Sequence, residues 1–312
     1  MKVRGNKGIR RRAIACSAIT AALLVAELVL RAAGVVDVPL YDADPRIGYI
    51  PRASQSGAFL RQNHWQVNEK SQGSPPWQPN RRTDALLLGD SIVWGGNRLD
   101  QPQKLGPALQ RALPDTDVWS AAAGSWGVPN EVEYLDRFAD VVQASEVVVW
   151  VINTGDLNAR SQWASELTHP RQHPTSALLY VLQKYGLPRV QAWLPALAPP
   201  SETEASPAAP PIFPETEALF RDRLQSLVEV RRVLVVVWPE QAAASGAEPA
   251  LATHRAFVEH VTRLLPPGVL LLKRLRPQIS TATASTLPPR ATNGWCSALA
   301  PCSPPAIKRP SA

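Results

Sequence analysis

The chain has 312 residues, 45% of them hydrophobic and 19% charged, and a net charge of +7, which suits one sizeable domain with added segments, since domains commonly run from roughly 50 to 250 residues. The positive charge sits at the two ends: residues 1–12 carry six basic and no acidic side chains and residues 261–312 carry seven basic and none acidic, leaving residues 13–260 at −6. A mildly acidic body without a basic stripe interleaved with aromatics excludes nucleic acid as a partner, and Cys16, Cys296 and Cys302 include no C-x-x-C spacing that would favour a structural zinc or a redox pair.

Along the chain, the basic cytoplasmic segment 1–12 leads into an apolar run, 13–33, interrupted by little besides Glu27 and Arg31. As a helix rising ~1.5 Å per residue it spans about 30 Å, the hydrocarbon thickness of a bilayer. Lysine and arginine ahead of it place Met1 in the cytoplasm and the rest across the membrane. We read 13–33 as an uncleaved transmembrane signal anchor in the inner (cytoplasmic) membrane, single-pass, with the remainder periplasmic or otherwise extracytoplasmic. Glu27, near the outer end, can pair with Arg31 one turn on, and the juxtamembrane arginines suit anionic lipid. A cleaved signal peptide and a buried soluble helix are the competing readings. Lipidation at Cys16 is disfavoured, because a cleavage site there would leave no hydrophobic region before it.

Residues 34–82 have few periodic segments and many turn residues, among them Pro39, Pro45, Pro51 and the Ser74-Pro75-Pro76 cluster. This predicts a long extracytoplasmic strap leading away from the membrane. From 83 to 279 the pattern becomes that of an α/β domain. Short aliphatic runs at 84–88, 117–121, 147–152, 232–238 and 269–273 read as strands, and 105–113, 130–142, 175–185, 215–230 and 251–264 carry apolar residues at helical spacing. Alternation of the two implies a parallel sheet covered on both faces. Residues 194–216 form a low-complexity insertion, either a substrate lid or a solvated linker. The tail 280–312, rich in Ser, Thr, Ala and Pro, lacks the periodicity of a closing helix; a bridge between Cys296 and Cys302 would staple only a short loop there.

The segment richest in chemistry is Ala85-Leu86-Leu87-Leu88-Gly89-Asp90-Ser91-Ile92-Val93-Trp94-Gly95-Gly96. An apolar run delivers a serine to the point where a strand ends and a helix begins. A serine hydroxyl needs a turn that exposes it, N–H groups to hold an oxyanion, and a base. The glycines permit close backbone approach, and the amides opening the helix can face developing negative charge. A phosphate loop is excluded by the absence of its lysine and of G-x-G-x-x-G spacing, and the segment departs from the G-x-S-x-G elbow at Val93. An ordinary turn with a capping serine is the other reading.

Gly89-Asp90-Ser91-Ile92 resembles the first block of the SGNH/GDSL-type esterases. Ala123-Gly124-Ser125-Trp126-Gly127-Val128-Pro129-Asn130-Glu131, with Tyr134-Leu135, resembles their second block, and Asn153-Thr154-Gly155-Asp156-Leu157 stands where they carry Gly-x-Asn-Asp. The similarity runs from about Tyr41 to about Pro277. It implies a three-layer, flavodoxin-like α/β fold and ester hydrolysis through an acyl-serine. By position, Ser91 would be the nucleophile, and the backbone amides of Ser91 and of Gly124 or Ser125 would form the oxyanion hole. The family's oxyanion-hole asparagine falls on Gly155, leaving Asn153 or Asn158 as displaced substitutes, and Asp90 and Asp156 would support the loops. Ligands of such sheets bind at the carboxyl ends of the strands, where all three segments lie.

The family's C-terminal Asp-x-x-His base has no counterpart, since no Asp, Glu or His follows His260 in this sequence. Of the five histidines, His64 precedes the sheet, His169 and His173 lie in a proline-flanked loop, and His254 and His260 share a helix but not a face. Each reads as a surface or capping residue, and the general base stays unassigned. Trp65, Trp77, Trp94, Trp119, Trp126, Trp150, Trp163 and Trp238 would either stack on sugars or serve as core. The resemblance thus implies an ester hydrolase acting on a small-molecule or glycan ester with no metal or organic cofactor, or a silent member of the same fold that binds envelope polysaccharide.

Overall fold

The computed structural model describes residues 6–189 and 212–272. Helix α1 (Asn6–Ala32) is long and apolar enough to cross a membrane: Arg10–Ala32 has a mean hydropathy of 2.3 and none of it is buried in the protein. The anticipated pair on this helix forms, with Arg31 Nε donating to Glu27 Oε1 at 2.6 Å.

Residues 34–82 depart from the expected strap. They fold into two antiparallel hairpins, β1 (Tyr41–Asp44) with β2 (Gly48–Pro51) and β3 (Gln55–Phe59) with β4 (Asn63–Val67), and Tyr41, Ile47, Tyr49, Ile50 and Val67 enter the main core. Strands of four or five residues are too short to display alternation in a sequence, and their burial comes from the domain they lean on. The β1–β2 turn is closed by Asp44 Oδ1, which accepts from the amides of Arg46 and Ile47 at 2.8 Å each, a local device that acidic turn residues supply.

The main sheet holds β5 (Thr83–Gly89), β6 (Thr116–Ala122), β7 (Val147–Ile152), β8 (Arg232–Val237) and β9 (Leu270–Leu272), all parallel, in the order β6-β5-β7-β8-β9. Numbered by appearance that is 2-1-3-4-5, the flavodoxin-like order. Between the strands lie α2 (Ser91–Trp94), α3 (Leu105–Ala112), α4 (Val128–Arg137), α5 (Ala139–Ala144), α6 (Ala177–Val181) with a π turn (Leu182–Gly186), α7 (Pro214–Val228), α8 (Gln241–Ala244) and α9 (Glu248–Leu264). Paired residues of parallel strands share a face. Leu88 is paired with Trp150, which meets Glu131 of α4 and Phe220 of α7; Leu87 is paired with Ser120, where α3 passes so closely that a Cβ on Gly106 would lie 1.9 Å from Ser120 Oγ. Helices therefore cover both faces, giving three layers and explaining why β7 is apolar at every position.

The first hairpin is fastened to the sheet by Asn130, which is fully buried. Its Nδ2 donates to the Ile47 and Ser161 carbonyls (2.5 and 2.8 Å), and its Oδ1 accepts from the Gly127 and Ser161 amides (3.1 and 3.0 Å). Asn130→Ala strands four backbone groups, each worth about 1 kcal/mol or more when buried and unpaired. The expected result is a loss of about 2–4 kcal/mol, read as a lower unfolding midpoint in detergent.

The insertion 194–216 falls largely outside the described residues, although Phe213 N bonds Leu157 O at 3.1 Å and Pro214 already opens α7. The tail, with Cys296 and Cys302, lies wholly outside them.

Candidate active site

Strand β5 ends at Gly89, where a Cβ would come within 2.7 Å of Val93 Cγ2 and 3.0 Å of the Val151 carbonyl. Only glycine lets the chain turn so tightly against β7. Asp90 then caps α2, its Oδ1 accepting from Ile92 N at 2.9 Å, and Ser91 follows with an exposed side chain. The expectation that the helix opening would present free amides is corrected here. Helix α2 is a single turn, and its Ile92 amide, with the Ser91 amide and hydroxyl, is drawn to the Asp90 carboxylate. Ser91 Oγ donates to Asp90 Oδ2 at 3.2 Å.

The third loop reaches the same carboxylate. Asn153 Nδ2 donates to Asp90 Oδ2 at 2.9 Å, while Asn153 Oδ1 accepts from Gly155 N at 2.8 Å. One Nδ2 hydrogen stays uncommitted by these bonds. Asn158 is bonded through its main chain, its carbonyl accepting from Thr216 Oγ1 at 3.1 Å, and its side-chain Oδ1 is buried without a partner among the described residues. Asp156 closes the loop by accepting from Asn153 N at 2.8 Å, and its carbonyl accepts from Val128 N at 3.0 Å. The first loop is thus joined to the third, and the third to the second.

In the second loop the Gly124 carbonyl points inward, accepting from Tyr49 Oη at 2.5 Å and bonding His169 Nε2 at 3.1 Å. A trans peptide carries its N–H opposite its carbonyl, so the Ser125 amide points outward. Ser125 is exposed and has φ +62°, a left-handed conformation unusual for a residue with a Cβ. Its carbonyl accepts from Ser161 Oγ at 2.5 Å.

His169 was not singled out by the sequence, where it reads as one of two loop histidines. A carbonyl can only accept, so Nε2 carries the proton and Nδ1 the lone pair; Nδ1 is buried without a partner among the described residues. Burial holds this imidazole below its usual range, and the ring lies against Tyr41 and Tyr49 with centroids 4.8 and 4.2 Å away. It positions the Gly124 peptide and is not placed on Ser91. Elsewhere, His64 pairs with Asp100 at 3.0 Å and His260 with Glu217 at 2.7 Å, His173 is exposed, and His254 is partly buried. Among the described residues no histidine is hydrogen-bonded to Ser91.

Beneath the loops sit three buried carboxyls, Asp90, Glu131 and Asp156, exposed by 5, 0 and 4%. Glu131 Oε2 accepts from Trp150 Nε1 at 2.6 Å, and its Oε1 has no partner among the described residues. Burial first, then the charge of Asp90, pushes Glu131 up to about 8. Burial and the charges of Glu131 and Asp90 push Asp156 well above the carboxylate range, and burial raises Asp90. Glu240, which follows β8, accepts from Thr154 Oγ1 and so adjoins the third loop. Its place just past a strand end was the signal that could have found it.

Trp65, Trp94, Trp119, Trp126 and Trp150 are buried, and Trp77, Trp163 and Trp238 pack partly against the core. Most of the indoles are therefore core material. A cavity of about 290 Å³ lies beside α6, lined by residues such as Glu166, His173, Ser176 and Tyr180, and not by Ser91. Among the described residues no group of three His, Cys, Asp or Glu side chains could hold a metal ion.

The strand order and the three joined loops at the carboxyl edge define the class: a three-layer, flavodoxin-like α/β domain with an exposed serine at its topological switch point. No family model and no curated protein matches the chain. Solved structures similar to it include the lipase Lip_vut3 from a goat rumen metagenome, with 13% identity over 69% of this chain and 97% of that one at a TM-score of 0.39. TesA is similar at 14% identity over 70% and 98% of the two chains, TM-score 0.41, and a family two carbohydrate esterase from Clostridium thermocellum at 10% identity over 63% and 55%, TM-score 0.29. The fold assignment rests on the strand order itself.

Proposed function

We propose that the chain is a membrane-anchored SGNH-like hydrolase acting on ester bonds, with Ser91 as nucleophile. The observation that carries this reading is the lacing of three loops around an exposed serine, Asp90 to Asn153 and Asp156 to Val128. Ser91 Oγ attacks the ester carbonyl and gives up its proton to solvent water; the outward Ser125 amide and the spare Asn153 Nδ2 hydrogen face the oxyanion, as preorganised donors do. Collapse expels the alcohol, which takes up a proton, and water then releases the acid from the acyl-serine. Asp90 and Asp156 act by holding the loops. With α1 crossing the cytoplasmic membrane and the domain on the periplasmic side, acylated envelope carbohydrate is the substrate class within reach.

A second reading is favoured by one observation, the lack of an imidazole on Ser91 among the described residues. On it the same loops bind an acylated glycan without cleaving it. The test is release of acetate from O-acetylated polysaccharide and of alcohol from short-chain aryl esters by the full chain in detergent, beside Ser91→Ala. Turnover lost in the variant supports the hydrolase; turnover that survives unchanged removes Ser91 from the mechanism; tight glycan binding without turnover favours the second reading.

A further inference from the structure

The outer end of α1 is built into the domain. Glu27 Oε1 accepts from Ala177 N at 2.9 Å as well as from Arg31, and Oε2 accepts from Ser176 Oγ (2.9 Å) and Leu178 N (2.8 Å). Arg31 donates to the Thr175 carbonyl. A carboxylate on the anchor thus receives the first amides of α6. Glu27 lies five residues before the end of α1 at Ala32, or about 7.5 Å of helical rise, so α6 begins at the depth of the anchor's last apolar turns.

From that point Leu179, Leu182 and Leu187 leave 52, 50 and 52% of their surfaces exposed, whereas Ala177 and Tyr180 turn inward. The three-residue step lies on the α turn and the five-residue step spans the π turn, where Leu187 N donates to Leu182 O, so the leucines stay on one side of the helical run. At the same depth α1 exposes Val25, Leu28 and Val29 at 59, 65 and 59%. The two apolar surfaces are adjacent because the Glu27 bonds join their elements.

We propose that α6 and its π turn lie on the outer leaflet beside α1, with Leu179, Leu182 and Leu187 at the boundary of the acyl chains. The occupant of this surface is lipid, because the surface continues that of the spanning helix and is fixed at its depth. Half-exposed leucines on a helix lying in the interface are the pattern of in-plane membrane elements. The segment that presses His169 onto the Gly124 peptide would then be docked to the membrane at its far end. This rests on α1 crossing the bilayer.

The test uses the full chain with Cys16, Cys296 and Cys302 replaced by serine and one cysteine introduced for a bimane label. Positions are Leu182→Cys, Leu24→Cys on the lipid-facing side of α1, and Val230→Cys, which precedes β8 at the sheet edge opposite Ser91. After reconstitution into phosphatidylethanolamine and phosphatidylglycerol vesicles, shallow nitroxide lipid should quench the Leu182 label about threefold more than the Val230 label. Quenching at Leu24 alone overturns the proposal: iodide reaching the Leu182 label would mean water there, and shielding from both quenchers would mean coverage by protein. Absence of lipid quenching at Leu24 would instead overturn the spanning of α1.

Discussion

Replacing Ser91 by alanine is expected to lower kcat/KM for short-chain aryl esters by about 10²–10⁴. The range follows from two magnitudes. Removing the serine of a complete triad costs about 2 × 10⁶ in kcat, and a positioned general base supplies about 10²–10⁴ of such an effect. The Ser91 hydroxyl has a carboxylate, not an imidazole, as its hydrogen-bond partner, so the base's share is already missing. The missing imidazole also sets the shape of the pH profile. Wild-type turnover should rise with pH with no inflection near about 6.5, the value of an unperturbed imidazole. Measuring kcat/KM from acid to mildly alkaline pH in both proteins checks both statements; an inflection in the imidazole range would mean that a histidine serves Ser91.

Glu131→Gln is expected to flatten the fall of stability toward alkaline pH. In the folded chain Glu131 is raised to about 8 by burial and by the Asp90 charge, whereas an unfolded glutamate titrates near ~4.3. A folded state that binds the extra proton loses stability as pH rises between those two values. The contribution is complete below the unfolded value and gone above about 8. Asp156, also raised, adds in the same direction. Glutamine is neutral throughout and can still accept from Trp150 Nε1, so the variant should unfold several degrees above the wild type at pH 8 and close to it at pH 5, with ~2–4 °C for each kcal/mol in a chain of this size. Thermal unfolding at the two pH values decides it; a wild-type midpoint that does not fall toward pH 8 would contradict the assignment.

The five sheet strands were legible because parallel strands covered on both faces are continuous apolar runs, and 147–152 matched β7 end to end. The helix read at 130–142 is two, α4 and α5, broken at Phe138, whose ψ of 52° leaves the helical region. The hairpins of 34–82 were hidden, since Tyr49 and Ile47 owe their burial to the second loop and Asn130 rather than to a pattern of their own. Ser91 and Asn153 could be found from their places after strand ends. Glu131 could not, because an acidic residue in the first turn of a helix usually faces water; here it is turned inward to accept from Trp150, which is itself packed against Phe220. His169 was obscured by the prolines around it, which mark a loop but not what the loop touches.

The central claim is that the joined loops present Ser91 as a reactive hydroxyl. A fluorophosphonate probe reports on this directly, because Oγ displaces fluoride and keeps the phosphonyl group. Peptide mapping of the labelled full chain should place one adduct on the peptide containing Ser91, and pretreatment with a short-chain aryl ester should slow its formation. An unlabelled chain, or an adduct on another serine with Ser91 untouched, would contradict the account.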